Sequence, residues 1–144
     1  MLITSPVFEQ MQKIPKKYTC EGENVSPPLI LDEIPANTKS IALIMDDPDA
    51  PSGVFDHWIV WNIDPKVNKI PEGQSFPNQG ITSYGEQKYA GPCPPPGKPH
   101  RYFFKVYALD TMLKLQNGIT KKQLMQAIHG HIIDEAELVG IYQR

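Results

Sequence analysis

Ser40–Ile63 reads SIALIMDDPDAPSGVFDHWIVWNI, and the fold class is decided by how that stretch is parsed. The run SIALIM is apolar on every side and too short for an ordinary helix, so it suits a strand buried on both faces. From His57 the chain reads HWIVWNI, rich in β-branched and aromatic side chains that fit a pleated surface. Period two puts His57, Ile59, Trp61 and Ile63 on one face and Trp58, Val60 and Asn62 on the other. Between these strands lie four aspartates, two prolines and a glycine. The stretch is therefore two buried strands joined by a stiff polar turn, with the imidazole of His57 beside the acids.

A second stretch of the same character, GPCPPPGKPHRY over Gly91–Tyr102, precedes the third strong strand, YFFKVYAL over Tyr102–Leu109. Period two carried backward places His100 and Tyr102 on one face and Arg101 on the other. Proline fixes φ and lowers the entropy of the open chain. Pro48, Pro51, Pro94, Pro95, Pro96 and Pro99 thus predict a rigid, preformed pocket where the two loops meet.

Elsewhere, Leu29–Leu31 reads as a strand, and Met1–Asn24 offers only brief extended pieces around Ile3 and Tyr18. Asp64–Gln87 has no sustained pattern and is expected to run as a long excursion over the surface, either covering the sheets or forming an interface. Thr120–His131 alone is helical: Thr120 and Gln123 fit a capping box, Leu124, Ala127, Ile128 and His131 follow helical spacing, and Gly130 supplies a left-handed stop. Glu137–Tyr142 reads as a last strand. With 15 prolines and 10 glycines, the chain is expected to be all-β dominated, with one short C-terminal helix and long Pro/Gly-rich loops.

At 144 residues one domain spanning the whole chain can bury a real core. The 14 basic and 16 acidic residues, with pI near 6.1, form no basic stripe, which argues against a nucleic-acid partner. No apolar run approaches the roughly 20 residues of a membrane span, and the first residues lack a secretory pattern, so no integral membrane insertion and a cytoplasmic location are expected. Strand edges and exposed aromatics allow a homodimer. Two cysteines make neither a disulfide framework nor a structural zinc site. Two buried thiols are expected; a Cys20–Cys93 bond is the competing reading, because Cys93 lies in the pocket loop.

The ionisable groups gathered by the two loops are Asp46, Asp47, Asp49, Asp56, His57, His100, Arg101 and Tyr102. A carboxylate bound to one ring nitrogen fixes a histidine's tautomer and leaves the other nitrogen for a ligand. Backbone N–H groups of a Gly/Pro loop add donors. A phosphate or carboxylate is the natural guest, and no cofactor or metal is called for. Asp46 is read as a solvated turn former, Arg101 as a structural arginine bridging carboxylates on the outer face, and His129 and His131 as helix-end residues. The competing function is a small phosphoester hydrolase using the His57, His100 and aspartate cluster, although no G-x-S-x-G or H-E-x-x-H motif is present.

DPDAPSG followed by FDHWIVWNI, then YAGPCPPPGKPHRYFFKVYALD, and the closing HIIDEAELVGIYQR resemble the phosphatidylethanolamine-binding protein family, also called Raf kinase inhibitor proteins, in its compact bacterial and archaeal branch. The resemblance implies an antiparallel Greek-key β-sandwich with a pocket for phosphate-type anions or phospholipid headgroups. It implies a non-catalytic binding protein, with a role as a kinase or protease inhibitor-like regulator. The family's first motif falls on Asp47, Pro48, Asp49, Ala50 and Pro51, with Phe55 and His57 after it. The second falls on Gly91, Pro94, His100, Arg101 and Tyr102. The ligand-binding set expected is therefore Asp47, Asp49, Ala50, Pro51, Phe55, His57, Gly91, Pro94, His100 and Tyr102. The family also implies a cis Asp47–Pro48 peptide. The longer C-terminal helix of mammalian members is missing after Tyr142, which implies a more open pocket.

Overall fold

The structure, a computed structural model, describes residues 1–144. Its strands are β1 (Leu2–Thr4), β2 (Gln12–Lys13), β3 (Leu29–Asp32), β4 (Ser40–Asp47), β5 (Phe55–Ile63), β6 (Lys69–Ile70), β7 (His100–Leu109) and β8 (Ile132–Tyr142). One helix, α1 (Lys121–Ile128), lies between the last two strands. Five strands form one sheet in the order β2-β8-β7-β4-β5, and three form another in the order β1-β3-β6. No helix is long and apolar enough to cross a membrane.

The unbroken apolar run of β4 has a direct cause. Flanked by β5 and β7, the strand sends Ile41, Leu43 and Met45 into the larger core, shared with Ile3, Leu29, Leu31 and Ile70 of the small sheet. Ala42 and Ile44 face a second core under α1, with Ile59, Trp61, Leu124 and Ile128. A strand covered on both faces has no polar side to show. The helix starts as the sequence predicts: Thr120 accepts a hydrogen bond from the Gln123 N–H, and the Gln123 side chain accepts from the Thr120 N–H. It ends before Gly130, whose φ is 82°.

Several expectations need correction. The period of β5 breaks twice. Met45 pairs with Trp58 but Asp46 with Asp56, so His57 is an extra residue, a β-bulge, and its ring turns to the Tyr102 side of the sheet, away from Ile59. A second irregularity, at Asn62 with φ of 56°, returns Ile63 to the larger core while the Asn62 amide bonds both polar backbone groups of Leu113. Asp46 is no solvated turn former. It is buried within β4, where Lys105 and Lys121 each reach its Oδ2 at 3.3 Å. Tyr18 sits in a single 3-10 turn, Lys16–Tyr18, not in an extended piece. Pairing is antiparallel except for β2, which lies parallel to β8.

The cysteines are joined: Cys20 and Cys93 lie 5.4 Å apart between Cα atoms in a disulfide, and neither is a free thiol. The turn at Lys16–Tyr18 brings them together, and the Cys20 N–H donates to the Pro92 carbonyl at 3.1 Å beside the bond. Every peptide bond is trans, including Asp47–Pro48. Asp47 is the last residue of β4, paired with Phe55, and the extended backbone of a residue before proline continues straight into the turn.

Candidate functional site

The two loops meet because of strand order. β4 runs antiparallel to both neighbours, so its C-terminal end lies beside the N-terminal ends of β5 and β7: Asp46 pairs with Asp56 on one side and with Phe103 on the other. The acidic turn leaves from that end and the proline loop enters there. Between them is a half-enclosed cavity of about 150 Å³.

Asp47, 3 % exposed, is fully engaged. Its Oδ1 accepts the Asp49 N–H at 2.8 Å, which folds the turn back, and its Oδ2 accepts from His100 Nδ1 at 2.7 Å. That contact fixes the proton of His100 on Nδ1 and leaves Nε2 for the cavity. His57 is held in the same manner by a different acceptor. Its Nδ1 donates to the Ala90 carbonyl at 2.6 Å, and the Ala90 N–H donates back to the His57 carbonyl at 3.0 Å. Burial lowers the pKa of His57 despite the Ala90 carbonyl and the carboxylates of Asp47, Asp46 and Asp56, so the resting ring is neutral. Tyr102 is pushed the other way by burial and by the Asp47 carboxylate, well above the usual phenol range, and keeps its proton to donate.

Aromatic rings form much of the remaining wall. Phe55 and His57 stand 5.0 Å apart between centroids, Tyr84 meets Phe55 edge-on at 4.7 Å, and Tyr102 meets His57 edge-on at 5.3 Å. Each imidazole is thus fixed by one hydrogen bond and by ring packing before any ligand arrives.

Of the residues expected at the site, the structure gathers Asp47, Ala50, Pro51, Phe55 and His57 from the first loop and Pro94, His100 and Tyr102 from the second around this cavity. Asp49 and Gly91 are not among its lining. Asp49 lies outside, where Arg101 grips both its oxygens through Nε and Nη2 at 2.9 and 2.8 Å and also donates its backbone N–H. The guanidinium holds Asp49 at about 2, so this is the outer-face structural arginine read from the sequence. Gly91 is a close-approach residue: its N–H donates to Asn24 Oδ1 at 2.8 Å, and a Cβ there would collide with that atom and with the Tyr18 carbonyl. Cys93 and Pro95, which the sequence places in the pocket loop but not in the ligand-binding set, also line the cavity, and so does Tyr84, which no sequence pattern singled out.

The family model for phosphatidylethanolamine-binding proteins matches residues 4–143. The chain belongs to the phosphatidylethanolamine-binding protein family. It is similar over its full length to a UPF0098 protein of Methanothermobacter thermautotrophicus (46% identity, 99% of that protein) and to one of Chlamydia muridarum (48%, 99%). Among solved structures it resembles the phosphatidylethanolamine-binding protein homolog CT736 of Chlamydia trachomatis, with a TM-score of 0.95 and 44% identity over 99% of this chain and 97% of the other. It also resembles YbcL of Escherichia coli, described as a member of the mammalian family, with a TM-score of 0.91 and 31% identity over 99% and 98%. Family membership and the mostly β, two-sheet architecture are thus established together.

Proposed function

We propose that the cavity binds a small phosphate-type anion, free or as a phospholipid headgroup, and that the protein acts by binding and not by turnover. The observation that carries this reading is the pair of imidazoles fixed through Nδ1, His57 by Ala90 and His100 by Asp47, around a cavity that also holds the Tyr102 phenol. Both Nε2 atoms and the phenol are then positioned for one guest. A site whose donors are already ordered loses little entropy when it is filled. The carboxylate of Asp47 serves to orient His100, since both its oxygens are occupied. Inhibitory docking on a kinase or protease is an extension of this reading that rests on the family.

The proton balance follows. His57 is neutral at rest, so its Nε2 carries a lone pair. An anion against that nitrogen favours the protonated ring, which donates where the neutral ring accepts. Binding therefore takes up a proton, and affinity falls as pH rises. Calorimetric titration with sulfate, whose charge does not change from about pH 5 to pH 8, should show that trend, with inorganic phosphate and phosphoethanolamine, which titrate within that range themselves, compared at one fixed pH. His57→Gln should flatten it, and Asp49→Ala, outside the cavity, should leave it intact. Affinity independent of pH, or unaltered by His57→Gln, would refute the reading.

One observation favours a hydrolase instead: Asp47 and His100 form a buried carboxylate–imidazole pair of the kind that orients a general base. Phosphate release from a panel of phosphoesters, abolished in His100→Ala, would establish that alternative.

A further inference from the structure

The cavity wall that carries Cys93 and Pro94 is held from behind by a distant part of the chain. Tyr89 Oη donates to the Tyr18 carbonyl at 2.7 Å, the Gly91 N–H to Asn24 Oδ1 at 2.8 Å, and the Cys20 N–H to the Pro92 carbonyl at 3.1 Å. The disulfide closes the same seam covalently. On its inner side this wall makes the two hydrogen bonds between Ala90 and His57. Only Cys93, Pro92, Gly91 and Ala90 therefore separate Cys20 from the imidazole that faces the ligand.

Neither cysteine is a buried residue, as a staple through the core would be. Cys20 is exposed, and Cys93 is half-buried and lines the cavity. Exposed disulfides are the ones that exchange with external thiols. Further along, the loop has a separate anchor: Arg144 Nε donates to the Pro94 carbonyl at 2.6 Å, the Gly97 N–H donates to the Arg144 carbonyl at 3.3 Å, and the Gln143 side chain donates to the Gly97 carbonyl. Loss of the disulfide would therefore loosen Ala90–Cys93 while Pro94–Gly97 stayed tied to the chain's last residues. The seam would then rest on three hydrogen bonds and no covalent link.

We propose that the Cys20–Cys93 disulfide is a redox latch on the cavity, closed when oxidised and released by a dithiol reductant. The dithiol gives two electrons and two protons and closes to its own disulfide; the Cys20–Cys93 bond breaks and both sulfurs become thiols. Release unfastens the wall that holds His57, so the reduced protein binds the anion more weakly. The latch rests on the reading of the cavity as an anion site.

The test compares the full chain oxidised, reduced with dithiothreitol, and as Cys20→Ser. Inorganic phosphate affinity is read by calorimetry, and amide hydrogen exchange at Ala90 and Gly91 by NMR. The oxidised protein should bind phosphate about tenfold more tightly than the other two forms, with faster exchange at Ala90 in both of those forms and unchanged far-UV circular dichroism. By linkage, phosphate should make the bond harder to reduce by the same factor. Equal affinity together with equal exchange would overturn the latch, and so would a reduced chain that unfolds globally, which would mark the bond as a staple. If no form binds phosphate, the anion reading fails by itself. Exchange at Ala90 then decides whether the latch exists: faster exchange on reduction supports it and unchanged exchange overturns it.

Discussion

His57 shows how a single buried side chain ties the fold to pH. Its folded pKa lies below the ordinary value of 6.5 because burial outweighs the attraction of its neighbours. The unfolded chain therefore binds more protons in the window between the folded pKa and 6.5, and stability is lost as pH falls through that window. Thermal unfolding of the wild type should move to lower temperature on passing from neutral pH into this window, and His57→Gln should show a smaller shift. Identical shifts in the two proteins would show that His57 does not carry this linkage. The identities of His57, His100 and Tyr102 were legible from strand patterning and motif, but the face of His57 was not. Period two assigns it to the Ile59 side, and only the extra residue opposite the Met45–Asp46 step turns it toward Tyr102. Asp46 and Asp49 also look alike in sequence. One is buried against two lysines and the other is clamped by Arg101 outside the cavity, a difference set by the pleat of β4 and the turn after it.

Among the elements, the long strands were legible because their causes are local. β4, β5 and β7 carry dense apolar and β-branched runs, and α1 carries its own cap and stop. β2 could not be seen. It is two exposed residues, Gln12 and Lys13, made a strand only by the backbone of β8, with the Met11 N–H donating to Val139 and the Ile14 N–H to Ile141. The patternless excursion of Asp64–Gln87 has a function no periodicity could announce. Gly80 and Ser83, and Ala90 beyond it, donate their N–H groups to carbonyls of β5, so the outer margin of that strand is covered, as an edge must be. Tyr84 reaches the cavity as part of this cover. On β8, Gly140 is where Ile14 and Phe8 press against the sheet, and a Cβ there would overlap both side chains. Gly140→Ala should destabilise the protein by about 1–3 kcal/mol through overpacking, measured by urea unfolding. A change within error would mean that the Phe8 and Ile14 side chains yield more easily than their burial suggests.

At the scale of the whole molecule, two sheets enclose one core and α1 covers a second, and the cavity lies at the end that β4 shares with β7 and with the edge strand β5. The disulfide spans 73 residues of sequence, and closing a loop of that length removes about 4 kcal/mol of conformational freedom from the unfolded chain in the loop-entropy account. Cystine bonds of this kind belong mostly to oxidising compartments and to hyperthermophile interiors, so the bond bears on the cytoplasmic location expected from sequence as directly as any leader would. The order β2-β8-β7-β4-β5 has a consequence for synthesis. β2 can pair only with β8, which is made after all the other strands described, and β4 waits for β7 across the entire proline loop. Pairings so distant in sequence form late. Nascent chains stalled ahead of Ile132 should therefore be cut readily by a protease, and resistance should appear in one step once Tyr142 has emerged.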